Sequence, residues 1–461
     1  MTAFTDWIRA LPPRYGKRTL IALGLIALLG LVVRAYVVVD PVENPGDDSR
    51  AYYALSKALY TEQSFGGGEF EDSSDWSPGA PFLYAAAFYA TGGAREGTAR
   101  IVEALLGVAT ILVAFALGWR LGGRAHGRWA GLFAAFAVAV YPPFIHSVGV
   151  VMSEPPAMLT LPAAVLAFLW ASERERTWPW LVPGLLFGLT AMFRPEYLFV
   201  GAVFVVLAGL RAVLGTGRDH RRDWRQGLAG ATILLLALLL PIIPWTVRNV
   251  VVLDKVVPVS TGGGKALYVG TYLPGDGEYQ RVKAILAERY LGRDLEPGSP
   301  ELDAVNPTAL FDRVAEEEHP DLPRDEALGR VGKENLEKYL EEDPAGYLAM
   351  IVRKVGRMWS AGVGEAMSSA PGRIVQVLLV LFGLAGFVLL GLRRRWWELV
   401  ALATPILAVT AIGALSLAAP RRNEVLMTLV FPLAGLALSS GLAAISSGRE
   451  WPSEQASSQP S

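Results

Sequence analysis

Apolar runs of about 20 residues recur along this chain, and they limit what it can fold into more than any other feature. An α-helix of that length crosses the hydrocarbon core of a bilayer, where every backbone N–H and C=O group must be satisfied within the chain. The composition agrees, since 18% of the 461 residues are charged, whereas a soluble protein carries about 25%. We therefore predict an all-α polytopic membrane protein.

The apolar runs predict about ten transmembrane helices. Short loops rich in Arg and Lys are expected on the cytoplasmic side, and with ten spans the basic loops fall on one side together with both termini. The two longest loops would then lie on the opposite, extracytoplasmic side. The predicted spans cover residues 19–39, 98–119, 128–142, 153–171, 180–193, 197–214, 226–247, 373–392, 396–418 and 425–445.

Two extracytoplasmic segments are too long to be simple connectors. The first, 40–97, contains a helical pattern from Ser49 and an apolar stretch, 82–89, that is too short to span and suits an interfacial helix. The second, 248–371, is predicted to form a mostly helical insert. We divide the chain into an N-terminal transmembrane module (1–247), the insert (248–371), C-terminal transmembrane helices (372–448) and a disordered polar tail (449–461).

Three carboxylates lie at the extracytoplasmic ends of predicted helices. Asp47 and Asp48 follow the first span, and Glu154 begins the fourth. A carboxylate at the mouth of an apolar helix is costly unless it is paired, hydrated or bound to a metal. The structural alternatives are that Asp48 only caps its helix and that Glu154 only faces water near the positive helix end. The functional alternative is general acid–base catalysis.

Basic residues also lie on this side, where the positive-inside bias predicts few of them. A guanidinium group suits phosphate oxygens, so binding a phosphate at the membrane surface is one explanation, and snorkelling to lipid headgroups is the other. The Gly run before Lys265 is not a P-loop, since Val259 and Ala266 stand where that pattern needs Gly and Ser or Thr. The basic candidates are Arg194, Arg248, Lys265, Arg421 and Arg422.

Further candidates are Tyr52 on the helix after Asp48, Trp76 in a rigid Pro-rich turn, and His146 near the mouth of the third span. His146 is either a base or metal ligand or an ordinary interfacial histidine. The 42 basic and 43 acidic residues leave no basic field for nucleic acid. The chain has no Cys, which excludes disulfides and thiolate sites.

The ordered motifs resemble the GT-C superfamily of polyprenyl-phosphate-dependent glycosyltransferases. The chain is most similar to bacterial relatives of the protein O-mannosyltransferases and of the lipid A aminoarabinose transferase, a pattern like that of glycosyltransferase family 39. Asp48 stands four residues before Tyr52, as the acidic motif of the first loop does in that family, although Ser49 replaces its frequent Glu. The other matching segments are 76–81, 153–155, 188–196, 244–249 with 257–264, and 420–424.

The resemblance implies a GT-C-like bundle and an inverting glycosyltransferase that moves a sugar from a polyprenyl phosphate to an extracytoplasmic acceptor hydroxyl. Asp48 would be the general base, and the basic candidates would stabilise the phosphate. Asp47 and Glu154 would orient the base or bind the acceptor. Asp48 and Glu154 would be the ligands if a divalent cation takes part, and hard oxygen ligands suit Mg or Mn.

The implied partners are the lipid-linked sugar, the bilayer and an acceptor protein, lipid or cell-envelope glycan, in a bacterial-type plasma (inner) membrane. The competing function is a transporter or flippase for lipid-linked sugars, but transporters commonly show two repeated halves, and this sequence shows no such repeat. A third possibility is a scaffold or receptor that uses the insert. It gives no reason for Asp48, Glu154 and Arg194 to share one face.

Overall fold

The structure is a computed structural model that describes residues 15–42, 46–66, 75–214 and 224–447. The regular elements in these ranges are helices, which confirms the predicted all-α class. The predicted disordered tail, 449–461, lies outside the described residues. In chain order the helices are α1 (Lys17–Val39), α2 (Asp47–Thr61), α3 (Gly79–Thr91), α4 (Glu96–Val140), α5 (Pro142–His146), α6 (Glu154–Ala171), α7 (Leu181–Phe193), α8 (Glu196–Leu214), α9 (Trp224–Leu253), α10 (Gly263–Thr271), α11 (Tyr279–Leu291), α12 (Pro300–Asp303), α13 (Pro307–Glu318), α14 (Arg324–Glu342), α15 (Pro344–Ser360), α16 (Glu365–Ser368), α17 (Ala370–Leu392), α18 (Trp396–Leu415) and α19 (Arg421–Ser447).

Seven helices in the described ranges are long and apolar enough to cross a membrane, and Trp178–Phe193 is a shorter apolar segment. The seven are α1, α4, α6, α9, α17, α18 and α19. The predicted number of about ten spans stays a prediction. It differs from seven partly because two of the predicted spans lie in the single helix α4.

Helix α4 is a hairpin rather than one straight rod. Its chain turns at Gly123, whose φ of +62° favours glycine. A Cβ at Gly118 would lie 2.7 Å from the carbonyl oxygen of Ala130, and one at Gly131 would lie 2.8 Å from that of Phe115. The two arms therefore pack backbone against backbone and antiparallel, as small residues allow between membrane helices.

The α4 hairpin forms the centre of the bundle. Helix α1 packs along it on one side, and the last helix, α19, packs along it and also against α6 and α17. Helix α19 is buried over most of its length, including Val425, Leu429 and Phe431. This packing brings the beginning of α19 to the beginning of α6, which positions the site described below.

The predicted helix from Ser49 and the predicted apolar stretch 82–89 are the helices α2 and α3, which pack against each other. Helices α10 to α14 enclose a separate core that includes Val282, Phe311 and Leu328, so the insert is mostly helical as expected. The insert contacts the turn before α3, because Asp75 accepts hydrogen bonds from Thr261 at 2.6 Å and from Arg324 at 2.5 Å. The domain boundaries remain predictions.

Candidate active site

The first turns of α2, α6 and α19 meet at one end of the bundle. Helix α2 begins after Gly46, whose φ of +84° turns the chain, so Gly46 and not Asp48 is the N-cap residue. Helix α6 begins Glu154-Pro155-Pro156, and proline suits this position because its missing N–H would have no partner in the first turn. Both helices therefore present a carboxylate at their positive ends.

Arg421, the first residue of α19, joins the two carboxylates. Its Nη1 donates to Asp48 Oδ2, and its Nε donates to Glu154 Oε1. A cation at a helix N-terminus is unfavourable by itself, and these two charge-assisted hydrogen bonds offset that cost. The three residues form the core of what we call the rim cluster, which is completed by Arg194 and Glu196.

Arg194 approaches Glu154 from the α7–α8 junction. Its backbone is extended because a residue before proline disfavours the helical region, and Pro195 therefore ends α7. Its Nη1 donates to Glu154 Oε1 at 2.6 Å and its Nε donates to Glu196 Oε1 at 2.9 Å. Burial lowers the pKa of Arg194, but Glu196 and Glu154 raise it by more, so the guanidinium stays charged.

Exposure differs sharply across the rim cluster. The side chain of Glu154 is 2% exposed, whereas those of Asp48 and Arg421 are 41% and 31% exposed. Glu154 is thus a buried anchor for two guanidinium groups, and Asp48 is open to a ligand. Four of the site residues predicted from the sequence therefore lie together in this cluster: Asp48, Glu154, Arg194 and Arg421.

Arg422 and Tyr52 lie beside the cluster. Arg422 Nη1 is buried and has no hydrogen-bond partner in the part of the chain that the structure describes. Tyr52, one helical turn after Asp48, packs edge-to-face on Trp76 with ring centroids 5.4 Å apart. Burial raises the pKa of Tyr52 to about 12, so its hydroxyl stays protonated at neutral pH.

Three other predicted residues make different contacts. Asp47 forms an exposed pair with Arg50. Arg248 donates to the carbonyl oxygen of Phe65 at 3.1 Å and lies over the Trp245 ring. The Lys265 ammonium lies 6.0 Å from the Phe311 ring, and the Lys265 backbone N–H donates to Asp325.

His146 ends the short helix α5 and lies near Gly364, away from the contacts described for the rim cluster. Burial lowers its pKa, so the imidazole is neutral at pH 7. No group of three or more His, Asp or Glu side chains among the described residues is arranged to hold a metal ion. Asp48 and Glu154 instead share Arg421, so their facing oxygens do not fit a metal that bridges them.

Sequence reasoning missed Glu196, Glu103 and Arg34. Glu196 begins α8 directly after Arg194-Pro195, so the argument that singled out Glu154 applies to it as well. Glu103 and Arg34 are fully buried charged residues inside apolar runs, and intramembrane charge is the signal that finds such residues.

Part of the chain is similar in sequence to a known protein family. Residues 75–245 match the sequence model of the dolichyl-phosphate-mannose-protein mannosyltransferase family. The matched segment contains Trp76, Glu154 and Arg194 and lies between Asp48 and Arg421. This match confirms the resemblance that the sequence predicted. No curated protein matches the chain by sequence.

The fold is similar to that of the oligosaccharyltransferase of Archaeoglobus fulgidus. The apo structure aligns with a TM-score of 0.57 and 16% identity over 94% of this chain and 51% of that chain. The structure with an inhibitory peptide and a dolichol-phosphate gives 0.53 and 16% over 95% and 52%. The complex with Zn and sulfate gives 0.55 and 15% over 92% and 49%.

At this identity the structural likeness concerns the fold, and it confirms the predicted GT-C-like architecture. The chain spans about half the length of the oligosaccharyltransferase that it matches.

Proposed function

We propose that this protein is an integral membrane glycosyltransferase that moves a sugar from a polyprenyl-phosphate donor to an acceptor hydroxyl on the extracytoplasmic side of a bacterial-type plasma membrane. The observation that carries the proposal is the rim cluster, in which an open carboxylate, Asp48, lies beside guanidinium groups anchored on a buried one, Glu154. The family match over residues 75–245 supports the reaction class.

Asp48 is the proposed general base. Its exposed carboxylate accepts the proton of the acceptor hydroxyl while that oxygen attacks the anomeric carbon of the donor. The bond from the anomeric carbon to the phosphate oxygen breaks, and the phosphate leaves with the electron pair. A single displacement of this kind inverts the anomeric carbon. Asp47, exposed beside the base, is proposed to contact the acceptor.

The arginines are proposed to hold the donor phosphate. Guanidinium groups match phosphate oxygens in geometry, and fixed cations stabilise the charge that develops on the leaving group. Arg421 Nη2 faces only the weak acceptor Met152 Sδ at 4.0 Å, and Arg422 Nη1 has no partner within the described ranges. Arg421 Nη2 is therefore proposed to donate to a phosphate oxygen, whereas the buried Arg422 adds positive charge beside it. Glu154 keeps Arg421 and Arg194 in place.

Arg248 and its aromatic neighbours are proposed to lie on the path by which the donor reaches the site. Arg248 lies over Trp245, which packs with Phe65 and Phe82 into an aromatic group beside α3. We propose that this group receives the polyprenyl chain near its phosphate. Mg or Mn is not assigned a step, because Arg421 supplies the positive charge between the two carboxylates.

The test uses purified protein in nanodiscs with a panel of radiolabelled polyprenyl-phosphate sugars. Sugar release to water or to an added membrane extract is followed for wild type, Asp48→Asn and the matched control Asp47→Asn. We expect release that depends on Asp48. Donor binding without release, unchanged by Asp48→Asn, would refute the proposal and favour the transporter, which a flipping assay in liposomes would then examine.

A further inference from the structure

A second carboxylate, Glu103, is buried on α4 and holds the segment that leads into Glu154. Its Oε1 accepts the backbone N–H of Met152 at 2.9 Å and the hydroxyl of Tyr84 at 2.7 Å. The Tyr84 hydroxyl also lies 2.5 Å from the carbonyl oxygen of Met152. The Glu103–Tyr84 pair thus contacts both backbone groups of Met152, and the single hydroxyl proton of Tyr84 serves one of its two acceptors at a time. Met152 stands two residues before Glu154.

The same segment is bonded to the residue beside Asp48. The backbone N–H of Val151 donates to Ser49 Oγ at 3.0 Å, and this bond is buried. Residues 151–153 therefore lie between the two carboxylates that share Arg421. A displacement of this segment would move Glu154, which follows it in the chain, and Asp48, which is adjacent to Ser49. The positions of both carboxylates of the rim cluster therefore depend on this segment.

Glu103 shares a small buried cavity with the guanidinium group of Arg34, a residue of α1. Arg34 Nη1 and Nη2 donate to the carbonyl oxygens of Ala139 and Val138 at 3.1 and 2.9 Å, in the last turn of α4, where carbonyl groups lack helical partners. Gly107, one turn after Glu103, leaves no room for a side chain beside Arg34 Nε. Arg34 thus packs against the face of α4 that carries Glu103.

One small cavity lies between the two side chains. Its volume is about 10 Å³, and its lining includes Arg34, Glu103, Thr110 and Ser147. Arg34 Nε and Glu103 Oε2 are both buried without a hydrogen-bond partner among the described residues. A cavity of about this size holds one water molecule, which can bridge a donor and an acceptor.

We infer that Glu103 is a positioning residue for the rim cluster. It fixes the 151–153 backbone so that Asp48 and Glu154 face Arg421 from two sides. The catalytic consequence rests on the proposed function, whereas the ordering of the segment does not. Glu103 itself touches none of the reacting atoms.

The experiment compares Glu103→Leu with Glu103→Gln in nanodiscs. Gln keeps an oxygen that can accept from Met152, whereas Leu does not. We expect Glu103→Leu to lower kcat by tenfold or more with the donor KM changed less than twofold, and Glu103→Gln to restore most of kcat. Thr110→Val is the control, because Thr110 lines the same cavity but donates only to Leu106 in its own helix.

Hydrogen–deuterium exchange supplies the second measurement. We expect Glu103→Leu to speed exchange in peptides covering 147–153 and 46–52, while Glu103→Gln and Thr110→Val leave those peptides close to wild type. Should Glu103→Leu not fold, Ser49→Ala tests the same link from its other end, through faster exchange at Val151 and a lower kcat.

Unchanged exchange at 147–153 in Glu103→Leu, or in Ser49→Ala where it is used instead, would overturn the inference. So would a kcat loss in Glu103→Leu that Thr110→Val reproduces. A wild-type protein that releases no sugar would instead contradict the proposed function, and the exchange data would still decide whether Glu103 orders the segment.

Discussion

Arg421 and Asp48 lie 373 positions apart in the chain and form an ion pair at the open end of the bundle. Both side chains are partly exposed, so water and salt screen the pair and a ligand can compete for either partner. A donor phosphate that takes over the Arg421 guanidinium would leave Asp48 free to accept a proton. The pair thus links donor binding to the readiness of the base.

Removing the charge of Asp48 should abolish most of the turnover while the fold is kept. Asp48→Asn loses the proton acceptor but retains an oxygen that accepts from Arg421, and we expect a fall in kcat of about 10²–10⁴-fold. Initial rates of sugar release measure the effect. Asp47→Asn is the matched control, and it should be far milder. Equal rates in wild type and Asp48→Asn would contradict the assignment.

Arg421→Lys should impair the enzyme although the charge is conserved. Lysine offers one ammonium group and cannot donate in fork geometry to Asp48 and Glu154 together. We expect kcat to fall by at least about tenfold, since one missing transition-state donor costs about 10²–10³ in other enzymes. Arg393→Lys, at a guanidinium that donates to Ser440, is the control. Comparable kinetics in the two variants would argue against a phosphate-binding role for Arg421.

Glu154→Gln should destabilise the protein strongly. The 2% exposed carboxylate is shared by two guanidinium groups, and removing one partner of a buried ion pair costs about 3–5 kcal/mol. Glu173→Gln is the comparison, because Glu173 pairs with Arg120 at 55% exposure, where a pair contributes about 0–1 kcal/mol. Thermal unfolding in detergent measures both. Similar melting temperatures for the two variants would refute the anchoring role of Glu154.

Gly123→Ala should destabilise the α4 hairpin through the backbone alone. A Cβ there meets nothing within 4 Å, but its φ of +62° and ψ of −152° belong to a region that is essentially restricted to glycine, at a cost of about 1–3 kcal/mol. Gly97→Ala is the control, because a Cβ at this helical glycine also meets nothing and the φ is ordinary. It should be neutral or stabilising. A Gly123→Ala protein as stable as Gly97→Ala would contradict the interpretation.

Lys354 makes stability depend on pH in the alkaline range. Its buried ammonium donates to the carbonyl oxygens of Gly270 at 2.6 Å and Ser416 at 2.8 Å. Burial, with Arg357 and Arg422 nearby, lowers its pKa to about 8 from the usual 10.5. Below pH 8 the folded and unfolded states both carry the proton, so the burial penalty is constant.

Between pH 8 and 10.5 the unfolded state binds more protons than the folded state, so the contribution of Lys354 to stability rises with pH. The measurement is the melting temperature of wild type minus that of Lys354→Met, from pH 7 to pH 10, which cancels other titrating groups. We expect this difference to be flat below pH 8 and to increase above it. A difference that falls above pH 8 would show that the folded state stabilises the ammonium group, which would contradict a lowered pKa for Lys354.

The sequence located four of the five members of the rim cluster, all but Glu196, because each of the four breaks a local rule. Asp48 and Glu154 place charge at the mouths of apolar helices, and Arg194 and Arg421 lie where the positive-inside bias predicts few arginines. Arg248 and Lys265 break the same rule yet lie over aromatic rings, and no local pattern separates the two groups.

What the sequence could not give was the grouping, which depends on contacts between distant helices. Arg421 comes to Glu154 because α19 packs along α4 and α6. The two arms of the α4 hairpin were predicted as two separate spans. The turn at Gly123 lies inside the helical range Glu96–Val140, so no separate loop joins the arms. The roles assigned to the cluster remain predictions that the experiments above test.

The α4 hairpin also bears on the order of assembly. Its backbone contacts join residues close in sequence, such as Gly122 with Gly127 and Gly118 with Ala130. Such local contacts require little loop-closure entropy, so we expect the hairpin to form early and to receive α1 and later helices. Arg421 is contributed by the last helix, α19, so a nascent chain that lacks this helix has the carboxylates but not the cation between them. The site is therefore complete only after α19 has been synthesised and has packed against α4 and α6.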